Sequence, residues 1–276
     1  MQIRYCCTYW GSEMDSPEFF VDKVLSTGYE GVEIFLPSLN DTFSELFVEK
    51  MRNVMQRNAD FLFIAQHIIS AEKDTVDQYL GKVKKNLAEL SLCKPSFINA
   101  HIGKDYFSFE DNCRVIDAAL NLSYKTGVRI LFETHRGRFS FHAASLIPYL
   151  KKFPTIELVG DFSHFCTVSE SMMQDQEEII QQIIPHIGHI HARIGHEQAA
   201  QVNDPFAPEW QDHFTQFEKW WQSIIHYQKS KNTNIFTITP EFGPAPYMPS
   251  MPFTKEPLGN QWEINLKMMN YFKSKF

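Results

Sequence analysis

Glu133, Asp161, His191 and Glu241 each lie at or near the end of a short run rich in Ile, Val and Phe, and all four can bind metal or move protons. Glu33, His67 and His101 occupy the corresponding place in three earlier runs. Asp and Glu together number 33 and His 11 among 276 residues, so seven successive runs ending this way is not a chance outcome. Strand alternation gives Leu131, Glu133 and His135 a common face, as it does Thr237, Thr239 and Glu241, and His189, His191 and Arg193. Three carboxylates meeting at one point repel by roughly several kcal/mol per pair at an effective dielectric of about 20 unless a cation sits among them. Glu133, Asp161 and Glu241 with a neutral His191 form an oxygen-rich donor set for one divalent ion, with positions left for water or substrate. Mn, Mg or Co suit it best, and the neighbouring histidines keep Zn open.

The runs that carry these residues are read as strands over 3–9, 31–36, 61–67, 96–102, 128–134, 156–161, 187–192 and 235–241. Helical patterns separate them. Ser16-Pro17 opens one that stops at Gly28, and Thr42-x-x-Glu45 reads as a capping box. Val76, Leu80, Val83, Leu87 and Leu90 form one apolar stripe; Trp210, Phe214, Phe217, Trp221 and Ile224 form a second, and Trp262, Leu266, Met269 and Phe272 a third. Eight strand-helix units without a linker or composition break imply one (β/α)8 TIM barrel spanning residues 1–276. In such a barrel the C-terminal strand ends converge on one mouth, which is where the charged residues fall.

Composition narrows the function classes. Hydrophobic residues at 43% and charged residues at 21% are those of a globular chain with a large core. The formal charge of -7 carries no basic nucleic-acid footprint. Five cysteines without a CxxC pair imply a reducing compartment rather than a disulfide framework. With no leader pattern at the start and no apolar run approaching the roughly 18 residues of a span, the expected location is cytoplasmic, away from membranes.

Five motifs together resemble the xylose-isomerase-like barrels, the superfamily of sugar-phosphate isomerases and epimerases that also includes endonuclease IV. They are Gly28-Tyr29-Glu30-Gly31-Val32-Glu33, Phe132-Glu133-Thr134-His135, Asp161-Phe162-Ser163-His164, His189-Ile190-His191 and Pro240-Glu241-Phe242-Gly243, and they span essentially the whole chain. The resemblance implies a metal held by Glu133, Asp161, His191 and Glu241, with His164 and an Arg after the seventh strand, here Arg193, on substrate oxygens. It further implies a small carbohydrate substrate and proton transfer through a metal-stabilised enediolate, with Glu133 and Glu241 removing and returning the proton. Action from opposite faces would epimerise; transfer between adjacent carbons would isomerise.

His67, His101, Glu33, Lys104 and Trp10 complete the expected substrate contacts. Each has a plainer alternative: a hydrogen-bonded core histidine, a salt-bridged glutamate, a solvated lysine or an ordinary core aromatic. His189 reads as packing one pleat below His191, and as the ligand if the register slips by two; Lys104, His135, Arg136 and Arg138 lie just beyond strand ends where they could grip a phosphate or carboxylate, with solvated loop cations as the plainer reading. The Pro-rich stretch 243–257 fits a stiff loop over the mouth, and the loop 193–208 a lid or a subunit contact; assembly into a homo-oligomer stays open.

Endonuclease IV is the second reading, because His67, His101, Glu133, Asp161, His164, His191 and Glu241 follow the order of most of its zinc ligands. That enzyme also needs an Asp-x-His before the last strand, where this chain offers only Asp204, Asp212 and His213. An inosose-type dehydratase on the same four ligands and a sugar-binding barrel without turnover are the remaining alternatives.

Overall fold

Strand and helix alternate along the computed structural model, which describes residues 1–36, 38–69 and 72–276. The order is β1 (Gln2–Thr8), α1 (Pro17–Ser26), β2 (Gly31–Phe35), α2 (Thr42–Arg57), β3 (Leu62–Ile68), α3 (Val76–Leu92), β4 (Phe97–His101), α4 (Phe109–Thr126), β5 (Ile130–Glu133) and α5 (Ala143–Lys152). It continues with β6 (Leu158–Gly160), α6 (Ser163–Ser169), α7 (Glu177–Ile183), β7 (Ile187–Ala192), α8 (Gln211–Ser230), β8 (Ile235–Pro240) and α9 (Gln261–Lys275). Each strand pairs in parallel with the next, and β8 returns to β1 with Gln2 opposite Ile235, so the sheet closes into an eight-stranded barrel.

Local chemistry sets the helix ends. Ser16 caps α1 by accepting from the Phe19 N–H, with Pro17 in the first turn, and Thr75 and Gln78 form a reciprocal capping box on α3. The expected box at Thr42 and Glu45 is replaced: Asp41 is the cap, accepting from Ser44, and Thr42 is already helical. A carboxylate one residue earlier satisfies the same free N–H groups and complements the helix dipole.

β5 and β6 fall furthest short of their apolar runs. β5 begins at Ile130 and β6 ends at Gly160, leaving Asp161 just outside the ladder. There the Thr134 hydroxyl accepts from the Asp161 N–H at 2.8 Å and lies 2.9 Å from the Asp161 carbonyl, substituting for sheet pairing and fixing where the Asp161 side chain leaves the backbone.

Packing divides into two regions. Outward strand residues such as Val32, Ile34, Phe63 and Ala65 join the helices in the main core, while Cys6, Ile64, Phe97, Leu131 and Val159 fill the barrel interior as an apolar plug. Above that plug the inward residues turn polar. Such a layer, closed off from below and ringed by backbone already satisfied in the ladder, can bury charge only if the side chains satisfy one another.

Candidate active site

Glu133, Asp161, His191 and Glu241 meet at the C-terminal mouth, each buried and each offering a ligand atom within 4.8 Å of the others. Strand register achieves this. His191 lies opposite Thr239 and Ala192 opposite Pro240, so Glu241 follows on the inward face two residues beyond Thr239. Glu133 ends β5, and the Thr134 clamp turns Asp161 inward beside it.

One nitrogen of His191 is committed. Its Nε2 is 2.9 Å from Glu33 Oε1, and because a carboxylate only accepts, Nε2 carries the proton of that bond. The other nitrogen, Nδ1, is buried without a hydrogen bond of proper geometry, yet it lies 2.8 Å from Glu241 Oε2 and 3.4 Å from Glu133 Oε2. A bare lone pair facing two carboxylate oxygens is stable only with a proton or a cation among them. Burial alone would depress the imidazole, but Glu241, Glu33 and Glu133 outweigh it and hold its pKa well above the ordinary value. Asp161 shows the same crowding: burial raises its pKa, and the attraction of Arg193 only partly offsets that and the repulsion of Glu133 and Glu241. The donor set thus fits a hard divalent ion, with Glu33 as the outer carboxylate that orients the histidine ligand.

Glu33 itself sits one layer deeper than the cleft. It accepts from Gln66 at 3.1 Å, Asn99 at 3.0 Å and the Thr239 hydroxyl at 2.7 Å, and it is fully buried, so the expected substrate contact is not where the side chain lies. His189 lies within hydrogen-bond distance of the hydroxyls of Thr237 at 2.6 Å and Thr239 at 3.0 Å and 3.4 Å from Glu33 Oε2, and with Glu33 and His191 it forms a second, deeper group of potential ligand atoms.

Above this layer opens a cleft of about 700 Å³. Glu13, Asp41, Gln66, His101, Glu133, His135, Arg138, Arg193 and Glu241 supply its polar surface, and Tyr9, Trp10, Phe35, Phe43, Ile68 and Tyr247 form an apolar wall. Trp10 meets Tyr247 edge-on at 4.9 Å, which brings the 243–257 stretch over the mouth. Gly243 makes that contact feasible, because a Cβ there would lie 2.2 Å from the Trp10 ring.

Arg193 is 1% exposed yet borders the cleft. Its guanidinium contacts Asp161, lies 3.5 Å from Glu241 Oε2, and donates to the Glu241 carbonyl at 3.2 Å. His164 Nε2 is 3.2 Å away, so Arg193 and His164 form one unit against the carboxylates. Burial, reinforced by His135 and the nearby arginines, keeps His164 neutral, its pKa well below the usual imidazole value. His101 Nε2 approaches Glu133 Oε2 at 2.6 Å, and His135 makes a third member of that group, its pKa pushed down to about 3 by burial and by His101.

His67 is the clearest departure from expectation. β3 places Gln66 opposite Asn99 and His67 opposite Ala100, so Gln66 points inward and His67 outward, under the helices. Both His67 nitrogens are buried without hydrogen-bond partners among the described residues, and burial pushes its pKa down to about 3. Gln66, which bridges Glu33 and Glu241, and Asn99, 2.7 Å from Glu133, are the inward residues that the sequence reading missed. Parity was part of the signal: Asn99 shares a face with His101, and Gln66 with Ile64, although in β3 parity alone does not say which face is inward. Lys104 lies beside the cleft rather than in its lining, its Nζ 5.3 Å from the Tyr79 ring.

No family model and no curated protein matches this chain. Solved structures do. The probable 3-DHS dehydratase AsbF from Bacillus anthracis superposes with a TM-score of 0.65 at 16% identity, covering 99% of this chain and 100% of that one. Endonuclease IV from Thermus thermophilus gives 0.61 at 12% identity with both chains fully covered, and a sugar phosphate isomerase/epimerase from Parabacteroides distasonis 0.60 at 13%, covering 99% and 94%. At these identities the likeness is one of fold, and the fold is the xylose-isomerase-like TIM barrel.

Proposed function

We propose that this xylose-isomerase-like barrel is a divalent-metal-dependent enzyme of carbohydrate metabolism, an isomerase or epimerase that moves a proton beside a sugar carbonyl. The observation that carries the reading is the unpartnered His191 Nδ1 facing Glu133 and Glu241, with Asp161 completing the set. Glu133, Asp161, His191 and Glu241 would hold the ion, Mn, Mg or Co ahead of Zn, which would supply Lewis-acid polarisation of a carbonyl and the adjacent hydroxyl. Glu133 and Glu241 then remove and return the proton from the two sides of the substrate. Arg193, backed by the fully buried His164, orients substrate oxygens, and Trp10 and Tyr247 cover a sugar face while excluding water.

A cleft of about 700 Å³ with an aromatic wall and a chain charge of -7 favour a small sugar over a DNA backbone. The nuclease reading also loses His67, which faces the helices. The dehydratase reading shares the first proton abstraction and differs only in what leaves afterwards.

The test is solvent-deuterium incorporation into a panel of free and phosphorylated ketoses, aldoses and polyol ketones. Incorporation that requires added divalent metal, and that disappears in Glu133→Gln and Glu241→Gln, supports the reading. Incorporation that survives either substitution rejects the two-carboxylate mechanism. Incision of an abasic duplex by protein carrying about three zinc ions per chain would restore the nuclease.

A further inference from the structure

Among the described residues two cations have no ion-pair partner: Arg138, which lines the cleft, and Lys104, on the loop between β4 and α4 that follows the cleft residue His101. Lys104 is 6% exposed, and among the described residues no carboxylate comes within ion-pair distance of its ammonium, which packs 5.3 Å from the Tyr79 ring. Asp74 and Asp105 act on it only from farther away, and Asp74 is already paired with Lys82 at 2.9 Å. Arg138 reaches into the cleft lining. Among the described residues its Nε is buried without a partner, and the one hydrogen bond its guanidinium makes, at 3.3 Å, goes to the carbonyl of the neighbouring Gly137.

The loops that carry these two residues are locked together. Asn112 clamps the Lys104 backbone at both ends, accepting from its N–H at 3.0 Å and donating to its carbonyl at 2.9 Å. Gly103, at φ +69°, passes so close to the β5–α5 loop that a Cβ there would lie 2.9 Å from Phe139 Cβ. Burial, then the charge of Arg138, lowers the Lys104 pKa from the ordinary lysine value, as expected for like charges held near one another. Burying cations without a counter-ion is unfavourable, and other buried basic groups here avoid it: Arg4 pairs with Glu30 at 3.0 Å, and Arg193 with Asp161.

We propose that Lys104 and Arg138 form an anion subsite at the edge of the cleft, which receives a carboxylate or phosphate of the substrate. The substrate is then a sugar acid or a sugar phosphate: its charged end lies against the guanidinium and ammonium, and its carbonyl end reaches Glu133 and Glu241. A planar guanidinium beside a point-charge ammonium suits either oxyanion. The substrate assignment rests on the carbohydrate reading above; the subsite itself does not.

The test uses the whole protein after chelator treatment and dialysis, so its outcome is independent of metal. Inorganic phosphate, D-glucuronate and, as neutral control, D-glucose are titrated by calorimetry and thermal shift. One anion per chain is expected to bind and raise Tm while glucose does neither, and Lys104→Gln and Arg138→Gln are each expected to weaken binding at least about tenfold. Preference for phosphate assigns a sugar phosphate, and preference for glucuronate a sugar acid. In anion-free buffer Lys104→Met is expected to raise Tm, because it removes an uncompensated charge. Binding of neither anion above glucose, binding indifferent to both substitutions, or a lower Tm for Lys104→Met overturns the proposal. Anion binding without any deuterium incorporation would sink the isomerase reading and leave the subsite standing.

Discussion

His191 donates from Nε2 to Glu33 Oε1 at 2.9 Å, and that one bond decides which ring nitrogen faces the carboxylate cluster. Glu33 is in turn satisfied by Gln66, Asn99 and Thr239, so the orientation of the ring is fixed by three further strands. Replacing Glu33 by Gln leaves the four donors in place but removes the charge that makes the imidazole a good ligand. Divalent affinity is expected to fall about 10–100-fold, measured by Mn titration. Unchanged affinity would mean that Glu33 does not orient His191.

The same cluster sets a pH dependence. The His191 pKa is held well above its ordinary value, and a metal must displace that proton. Below the raised pKa, apparent affinity is therefore expected to drop by up to about tenfold for each pH unit removed, with about one proton released per ion bound. Calorimetry in buffers of different ionisation enthalpy reads both quantities, and pH-independent binding without proton release would contradict the assignment of Nδ1.

His67 carries a different signature. Its folded pKa of about 3 lies below the ordinary 6.5, so the neutral form is favoured by folding. That contribution is fully present above pH 6.5 and is lost as pH falls from there towards 3, amounting to about 2 kcal/mol between pH 7 and pH 5. His67→Leu is expected to fold, to keep metal affinity, and to lose less stability than the parent over this interval in urea unfolding. Loss of metal binding instead would return His67 to the site.

Gly243→Val probes the roof of the cleft. A side chain there collides with the Trp10 ring, which must rotate away from Tyr247. The expected result is a shifted tryptophan emission and a KM for sugar raised at least about tenfold, with metal affinity unchanged. Retained KM would place the sugar elsewhere.

The barrel and its mouth were legible because the signal is periodic. Eight apolar runs gave eight strands in their observed order, and seven of them ended in or near Glu, Asp or His. The four-residue cluster followed from parity along β5, β7 and β8. What was not legible depended on a one-residue register. In β3 the run Leu62–Ile68 is apolar on both faces, so only pairing with β2 and β4 reveals that Gln66 is inward and His67 outward. The contacts that Tyr247, Arg138 and Lys104 make were equally hidden, because their neighbours come from distant segments.

The most direct measurement is the number of Mn ions bound per chain, by equilibrium dialysis of the parent protein, Asp161→Asn and Glu133→Ala. The account expects one tightly held ion in the parent and none in either variant, with both variants still folded by circular dichroism. A parent that binds no ion, or variants that keep it, would contradict the claim that these side chains form a metal centre.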